Sequence, residues 1–260
     1  MVAVESPRLE TAARALELQG VSRRFGGLVA VRDVSLALEP GERRAIIGPN
    51  GAGKTTLFNL VTGELRPTAG TIRFFGRDVT ALPPHQRVRL GLARTYQTPL
   101  VFPRLTVRDN LYLAVRGVRP WRLSLRAPRP GDPEFAVVAE LAERVGLRHA
   151  LSALAGALSH GEQRQLEIAM ALASRPKLLL LDEPAAGLSP AERESLAALL
   201  GSLDPTMTVL LIEHDMDVAF QVAQRVTVLH EGSVIAEGTP EAIASDPRVR
   251  AVYLGGTHGE

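Results

Sequence analysis

The stretch "GPNGAGKTT" at residues 48–56 holds three glycines and one lysine in nine positions, directly after the apolar run "AII". It matches G-x-x-x-x-G-K-[ST] through Gly48, Gly53, Lys54 and Thr55, with Pro49, Asn50, Gly51 and Ala52 between them and Thr56 next. A strand is expected before it and a helix after it, the setting in which this pattern binds phosphate. Glycines let the backbone bend until its N–H groups converge on phosphate oxygens, and the helix adds the positive end of its dipole. Lysine is rare here: of 30 Lys and Arg residues, only Lys54 and Lys177 are lysines. A compact ammonium fits between β- and γ-phosphates where a planar guanidinium is too broad. Thr55 is placed to offer its hydroxyl to Mg²⁺. The plainer reading, a glycine-rich turn before a helix, explains neither the full spacing nor the lysine.

Four further groups could act on a bound phosphate. "LLLLDEP" (178–184) puts Asp182 and Glu183 at the end of a buried strand, on the side of a parallel sheet where ligands bind. Asp182 can support the metal shell, and Glu183 can polarise a water for attack on the γ-phosphate. An acidic turn ahead of Pro184 is the alternative, weakened by the phosphate loop upstream. "IEHDM" (212–216) ends another strand-like run, where His214 could donate to the γ-phosphate; a lone histidine is more often structural. Gln97 in "ARTYQTP" carries less by itself. In "LSHGEQRQ" (158–165), Ser159 and Gly161 open a helix whose dipole favours anions. Serine followed three positions later by Glu162 is also an ordinary capping box, and on these residues alone that reading is sufficient.

The elements that must position these groups are legible as patterns. "ALELQGV" and "VRDVSLAL" read as strands, the second alternating apolar and polar. "RRAIIG" suits a buried parallel strand, and "TTLFNLVTG" a helix stopped by Gly63. "GTIRFFG" returns as a strand. Residues 82–174 are expected to be mostly helical, because "TVRDNLYLAV", "EFAVVAELAERVGL" and "GEQRQLEIAMALA" each carry apolar residues at helical spacing. Between the first two lies a loop-like stretch, 116–133, with five arginines and four prolines. "KLLLLD" and "TVLLIE" are buried-strand candidates with the helix "PAERESLAALLGSL" between them, and "RVTVLHEGSVIAEG" reads as a hairpin turning at "EG".

Composition narrows the classes. A chain of 260 residues with 45% apolar content is long enough for a sizeable core and is not disordered. The absence of cysteine excludes disulfides, thiolate metal sites and a thiol nucleophile. A formal charge of +2 gives no pointer to nucleic acid. No stretch approaches the roughly 20 apolar residues needed to cross a bilayer. The first residues, "MVAVESPRLETAAR", lack a long apolar segment and do not read as a signal peptide. A protein free of membrane spans that docks on a membrane partner is compatible with all of this.

Taken in order, "GPNGAGKTT", Gln97, "LSHGE", "LLLLDEP", "GLSP" and "IEHD" resemble the ATPase subunits of ABC transporters over nearly the whole chain. The resemblance implies an α/β fold: a P-loop NTPase (RecA-like) core with an antiparallel β subdomain and an inserted helical subdomain. It implies an ATPase domain over 15–254, helical insertion at about 82–160, and an N-terminal extension at 1–14. Carried over, residues 48–56 bind the phosphates, and Thr55, Gln97 and Asp182 serve Mg²⁺. Glu183 is the general base, His214 steadies the γ-phosphate, and Phe25 stacks on adenine, with a strand-edge core residue as the lesser alternative for Phe25. Ser159 and Gly161 bind the γ-phosphate of a nucleotide held by the opposite subunit of a head-to-tail dimer, identical or paralogous.

His160 and Glu162 depart from the commoner "LSGGQ": an ordinary backbone angle is needed at 160, and the acid must point away from phosphate. These departures, with "ARTYQTPLVFPRLTVRDNL", "LSHGEQRQLEIAMALA", "LLLLDEPAAGLSP", "LLIEHDMDV" and the terminal "AVYLG", are similar to ATPases of branched-chain amino acid importers. The implied partners are transmembrane permease subunits and, beyond the membrane, a periplasmic or extracellular binding protein; the implied location is the cytoplasmic face of the plasma membrane. Stretch 116–133 matches nothing assignable. Within the family, a urea or amide importer and a lipid exporter remain open. Outside transport, an ABC protein acting on DNA or ribosomes would ordinarily need two cassettes or a long coiled coil, and a non-hydrolysing regulator would not need both Glu183 and His214.

Overall fold

The computed structural model describes residues 13–118, 129 and 131–254. In chain order the strands are β1 (Leu16–Phe25), β2 (Leu28–Leu38), β3 (Arg43–Ile47), β4 (Ala69–Phe74), β5 (Arg77–Asp78), β6 (Leu92–Arg94), β7 (Leu178–Asp182), β8 (Thr208–Ile212), β9 (Arg225–His230) and β10 (Ser233–Gly238). The helices are α1 (Lys54–Thr62), α2 (Pro84–Arg89), α3 (Val107–Gly117), α4 (Pro133–Arg144), α5 (His160–Leu172), α6 (Pro190–Gly201), α7 (Met216–Val222), α8 (Pro240–Ser245) and α9 (Pro247–Leu254).

A six-stranded sheet runs β10-β9-β3-β8-β7-β6, parallel throughout except at the β9–β10 hairpin. A four-stranded antiparallel sheet runs β2-β1-β4-β5. Strand alternation divides the buried side chains between two cores. Ile46, Leu178, Leu180, Leu210 and Ile212 face the antiparallel sheet together with Leu57, Phe58, Leu60 and Val61 of α1. Ala45, Ile47, Leu179, Leu181, Val209 and Leu211 face the other way, onto the core that α3 to α7 complete. Burial on both faces is why β3, β7 and β8 carry the unbroken apolar runs 45–47, 178–181 and 209–212. Helix α1 is held between the sheets and ends at Gly63, whose φ of 83° makes the left-handed cap.

The three expected helices in the middle of the chain are α3, α4 and α5, and α3 starts with a Thr106–Asp109 capping box. One expectation needs correction. Residues 92–94 are not helical but form β6, an edge strand paired in parallel with β7. Three residues are too few to carry a period, so only the long-range pairing makes this a strand. The helical stretch read over 82–174 is thereby interrupted, and the insertion expected at about 82–160 contains at its start a strand of the main sheet. The arginine- and proline-rich loop falls largely outside the described residues, as does most of the N-terminal extension.

Candidate functional site

The phosphate loop leaves β3 and enters α1 without a side-chain cap: the N-cap is Gly53, with φ 99°, and the first turn holds no acid. Among the described residues no side chain caps its first N–H groups, which suits an anion. Two glycines are dictated by close approach. A Cβ on Gly48 would lie 2.1 Å from the Leu229 carbonyl oxygen, and one on Gly53 2.3 Å from that of Ala30. The Gly232 N–H donates to the Ala52 carbonyl at 2.9 Å, and the Arg32 N–H donates to the Gly232 carbonyl at 2.8 Å. Thus the hairpin tip ties the loop to the antiparallel sheet.

Lys54 is buried and donates from Nζ to the carbonyls of Gly48 at 2.6 Å and Pro49 at 3.0 Å. Burial lowers the pKa of its ammonium, opposed by the charges of Glu183 and Asp182. A cavity of about 720 Å³ opens over the loop, lined by Asn50, Gly51, Ala52, Gly53, Lys54, Thr55, Thr56 and Glu183 on one side and by Phe25 on the other. Phe25 is exposed, with the Arg23 guanidinium 4.6 Å from its ring centre, so it is not a core residue. Gly48 and Pro49 are not on the cavity wall, and their carbonyls hold Lys54.

Glu183 follows β7 with a φ of +45°, a conformation that costs free energy for a side chain with a Cβ. Its N–H donates to the Ile212 carbonyl at 3.0 Å, holding it against β8. Gln97 Nε2 donates to Glu183 Oε2 at 3.0 Å, and His214 Nδ1 lies 3.9 Å from the same oxygen. Residues 97, 183 and 214, distant in sequence, converge here. Asp182, one position earlier, is buried, and Arg94 Nη2 donates to its Oδ2 at 2.7 Å. Arg94 also donates to Asn59 Oδ1 of α1 at 2.6 Å and lies 4.7 Å from the Tyr96 ring centre. Beside His214, Glu213 is fully buried. Its Oε1 accepts from the Ala185 N–H at 2.9 Å, while its Oε2 has no partner among the described residues. Burial pushes this carboxyl up to about 7, with the negative charges of Glu183 and Asp215 adding to the effect.

Ser159 and Gly161 are not on the cavity wall. Ser159 caps α5, its Oγ accepting from the Glu162 N–H at 3.2 Å while Glu162 Oε2 accepts from the Ser159 N–H at 2.8 Å. Glu162 thus turns back on its own helix, and His160 has an ordinary backbone angle. The Gly161 N–H donates to Glu192 Oε1 at 3.2 Å.

The family profile described as ABC transporter matches residues 31–186. The chain belongs to the ABC transporter family. A second profile, branched-chain amino acid ATP-binding cassette transporter, matches residues 233–259. A high-affinity branched-chain amino acid transport ATP-binding protein of Pseudomonas aeruginosa is 41% identical over 250 residues, covering 92% of this chain and 97% of its own. A lipopolysaccharide export system ATP-binding protein of Acidithiobacillus ferridurans is 39% identical over 242 residues, covering 92% and 96%. Among solved structures, the ADP conformation of an ATP-binding cassette of an ABC transporter superposes with a TM-score of 0.81 at 32% identity, covering 93% of this chain and 99% of that one.

This ABC ATPase therefore has the expected fold and a nucleotide cavity whose walls include most of the residues singled out in the phosphate loop. Sequence reasoning missed Arg94, Glu213, Arg32 and the Glu231–Gly232 tip, which approach the site through tertiary contacts. "IEHD" could have flagged Glu213 as an acid ending a fully apolar strand; Arg94 and Arg32 are lost among many arginines.

Proposed function

We propose that this ATPase is the motor subunit of an importer of branched-chain or other hydrophobic amino acids, working as a head-to-tail pair on the cytoplasmic face of a permease. The cassette occupies 15–254. The observation that carries the mechanism is the meeting of Gln97 and His214 at the Glu183 carboxylate, above a phosphate loop whose helix end is open. ATP enters with its adenine against Phe25 and its phosphates over residues 48–56. Lys54 exchanges its bonds to the Gly48 and Pro49 carbonyls for phosphate oxygens. Thr55, Gln97 and Asp182 offer hydroxyl, amide and carboxylate oxygens, the hard donor set that Mg²⁺ takes. Bound Mg²⁺ supplies charge neutralisation on the phosphates. Glu183 accepts the proton of the attacking water, and Gln97 and His214 hold its carboxylate in line.

Ser159 and Gly161 are not on the cavity wall of their own chain, which favours their use on a partner's nucleotide and makes a pair of subunits necessary for turnover. Leu100 and Phe102 are exposed, at 58% and 52%, on the loop that follows Gln97, a surface suited to a permease helix. A binding protein on the far side would deliver the substrate.

The ATPase itself does not touch the transported molecule, so the substrate rests on the relatives and the 233–259 profile. A lipid exporter is the second reading, favoured by the similarity to the lipopolysaccharide export protein. Deleting the gene and measuring uptake of labelled leucine, isoleucine, valine and urea decides between them. Lost leucine uptake, restored by the wild-type gene and not by Lys54→Ala, supports the amino acid reading. Lost urea uptake alone moves the protein to amide import. Unchanged uptake of all four with altered envelope lipid moves it to export.

A further inference from the structure

Five positions into α5, past the signature residues, sits Arg164, and one turn later Glu167. Their side chains are 0% and 6% exposed, and Arg164 Nη1 donates to Glu167 Oε2 at 2.7 Å. A spacing of three on a helix brings them together. What they hold is the loop after β6. Glu167 Oε1 accepts from the N–H groups of Tyr96 at 3.0 Å and Leu100 at 3.3 Å. Arg164 Nη1 also donates to the carbonyl of Tyr96, and Nη2 donates to the carbonyl of Gln97 at 2.7 Å. The same Nη2 lies 3.5 Å from the carbonyl of Glu183.

Four backbone groups around Gln97 are thus held by two side chains of the helix that begins with the signature. An apolar pair of similar volume would fill the space without the desolvation cost of two buried charges. It could not grip a donor and an acceptor of the same residue at once. These are charge-assisted bonds, stronger and more directional than neutral ones. The Gln97 side chain, leaving the clamped backbone, donates to Glu183.

We infer that Arg164 and Glu167 are positioning residues that fix Gln97 against Glu183 and mechanically join the start of the signature helix to the hydrolysis site of the same chain. The inference rests on the roles assigned above to Gln97 and Glu183. In a head-to-tail pair, each signature contacts the partner's nucleotide. A shift of α5 on contact then carries the Gln97 backbone with it, so each site senses whether the other is filled.

The decisive variant is Arg164→Met combined with Glu167→Gln. It leaves no unpaired buried charge, and the new amide can still accept from the Tyr96 and Leu100 N–H groups while the grip on the two carbonyls is lost. Arg164→Lys is the milder companion should the double variant fold poorly. Two measurements are made on the full chain: hydrogen exchange of amides 95–101, and steady-state ATP turnover. Exchange in that segment should quicken at least several-fold, with melting temperature nearly unchanged. Turnover should fall roughly 10- to 100-fold, the range expected when a reacting group is slightly misplaced. KM for ATP should move less than about 3-fold, because the phosphate loop is untouched. In a Gln97→Ala background the same change should cost little more, since both act through one side chain. Unchanged exchange overturns the clamp, and an additive loss of turnover overturns the route through Gln97. If Gln97→Ala itself leaves turnover at the wild-type level while exchange still quickens, the role of Gln97 in hydrolysis fails and the clamp on the loop stands.

Discussion

Helices α1 and α5 begin at the phosphate loop and at the Ser159–Gly161 signature, and treat their first turns in opposite ways. Helix α1 starts at Gly53 with no side-chain cap and no acid in its first turn. Helix α5 starts at Ser159 with a complete capping box, and a second carboxylate, Glu192, accepts from the Gly161 N–H. Helices α3 and α6 are capped in the same closed way. An uncapped start keeps its N–H groups for an anion, whereas a capped one has already satisfied them. In the proposed head-to-tail pair this difference implies an order of events: a phosphate would meet the loop of its own chain first, and the signature would engage only once closure displaced the Glu162 and Glu192 carboxylates that accept from its N–H groups.

The largest expected effect lies at the open side. Glu183→Gln should lower turnover by roughly 10² or more, the loss typical of a general base. Nucleotide affinity should stay near wild type, and an ATP-bound dimer should accumulate on gel filtration. Turnover within a few-fold of wild type would move the base elsewhere.

Lys54→Arg should weaken ATP binding by roughly 10-fold or more, since charge is kept and shape is not. Titration with a fluorescent ATP analogue measures it, and unchanged affinity would remove the steric argument for lysine.

The asymmetry between the two helix starts predicts complementation. Lys54→Ala and Ser159→Arg should each be inactive alone. Mixed together they should recover turnover, because one site of the mixed pair joins an intact loop to an intact signature. No recovery in a sample shown by mass to contain mixed pairs would mean that the signature works within its own chain.

Glu213 adds a pH dependence. Its folded carboxyl is raised from 4.5 to about 7 by burial, so the folded state holds a proton that the unfolded state releases. Its contribution to stability is complete below pH 4.5 and is lost as pH rises through about 7, on the order of 1 kcal/mol for each pH unit between them. Glu213→Gln, which keeps an acceptor for the Ala185 N–H, should flatten the melting-temperature profile between pH 5 and 8. A profile parallel to wild type would show that another group titrates.

The smallest effect is on the closed side. Glu192→Gln retains an acceptor for the Ser189 cap while removing a negative charge beside Gly161. The apparent KM for ATP should fall by roughly 2- to 5-fold, the scale of one exposed like charge. A raised KM would mean that the carboxylate assists closure and does not oppose it.

The order of motifs and most elements was written in local patterns. The loop at 48–56 is contiguous, its flanking strand is a buried apolar run, and its helix stops at a glycine, so the phosphate cradle was legible before any fold was known. The same is true of the β9–β10 turn, where Glu231 and Gly232 both take positive φ as a tight hairpin requires. What the tertiary structure decided has no local period. Strand β6 exists because β7 lies beside it, and Arg94 on that strand reaches Asp182 only through that pairing. Gln97, Glu183 and His214 meet because β7 and β8 end side by side, with the loop after β6 folded across them. The Arg164–Glu167 pair reads in sequence as an ordinary helical ion pair; its grip on the Gln97 loop appears only when α5 packs against that loop. Short-range spacing is set by backbone geometry, which residue types reveal. Long-range convergence is set by which faces pack together, and single residue types at distant positions do not announce their partners.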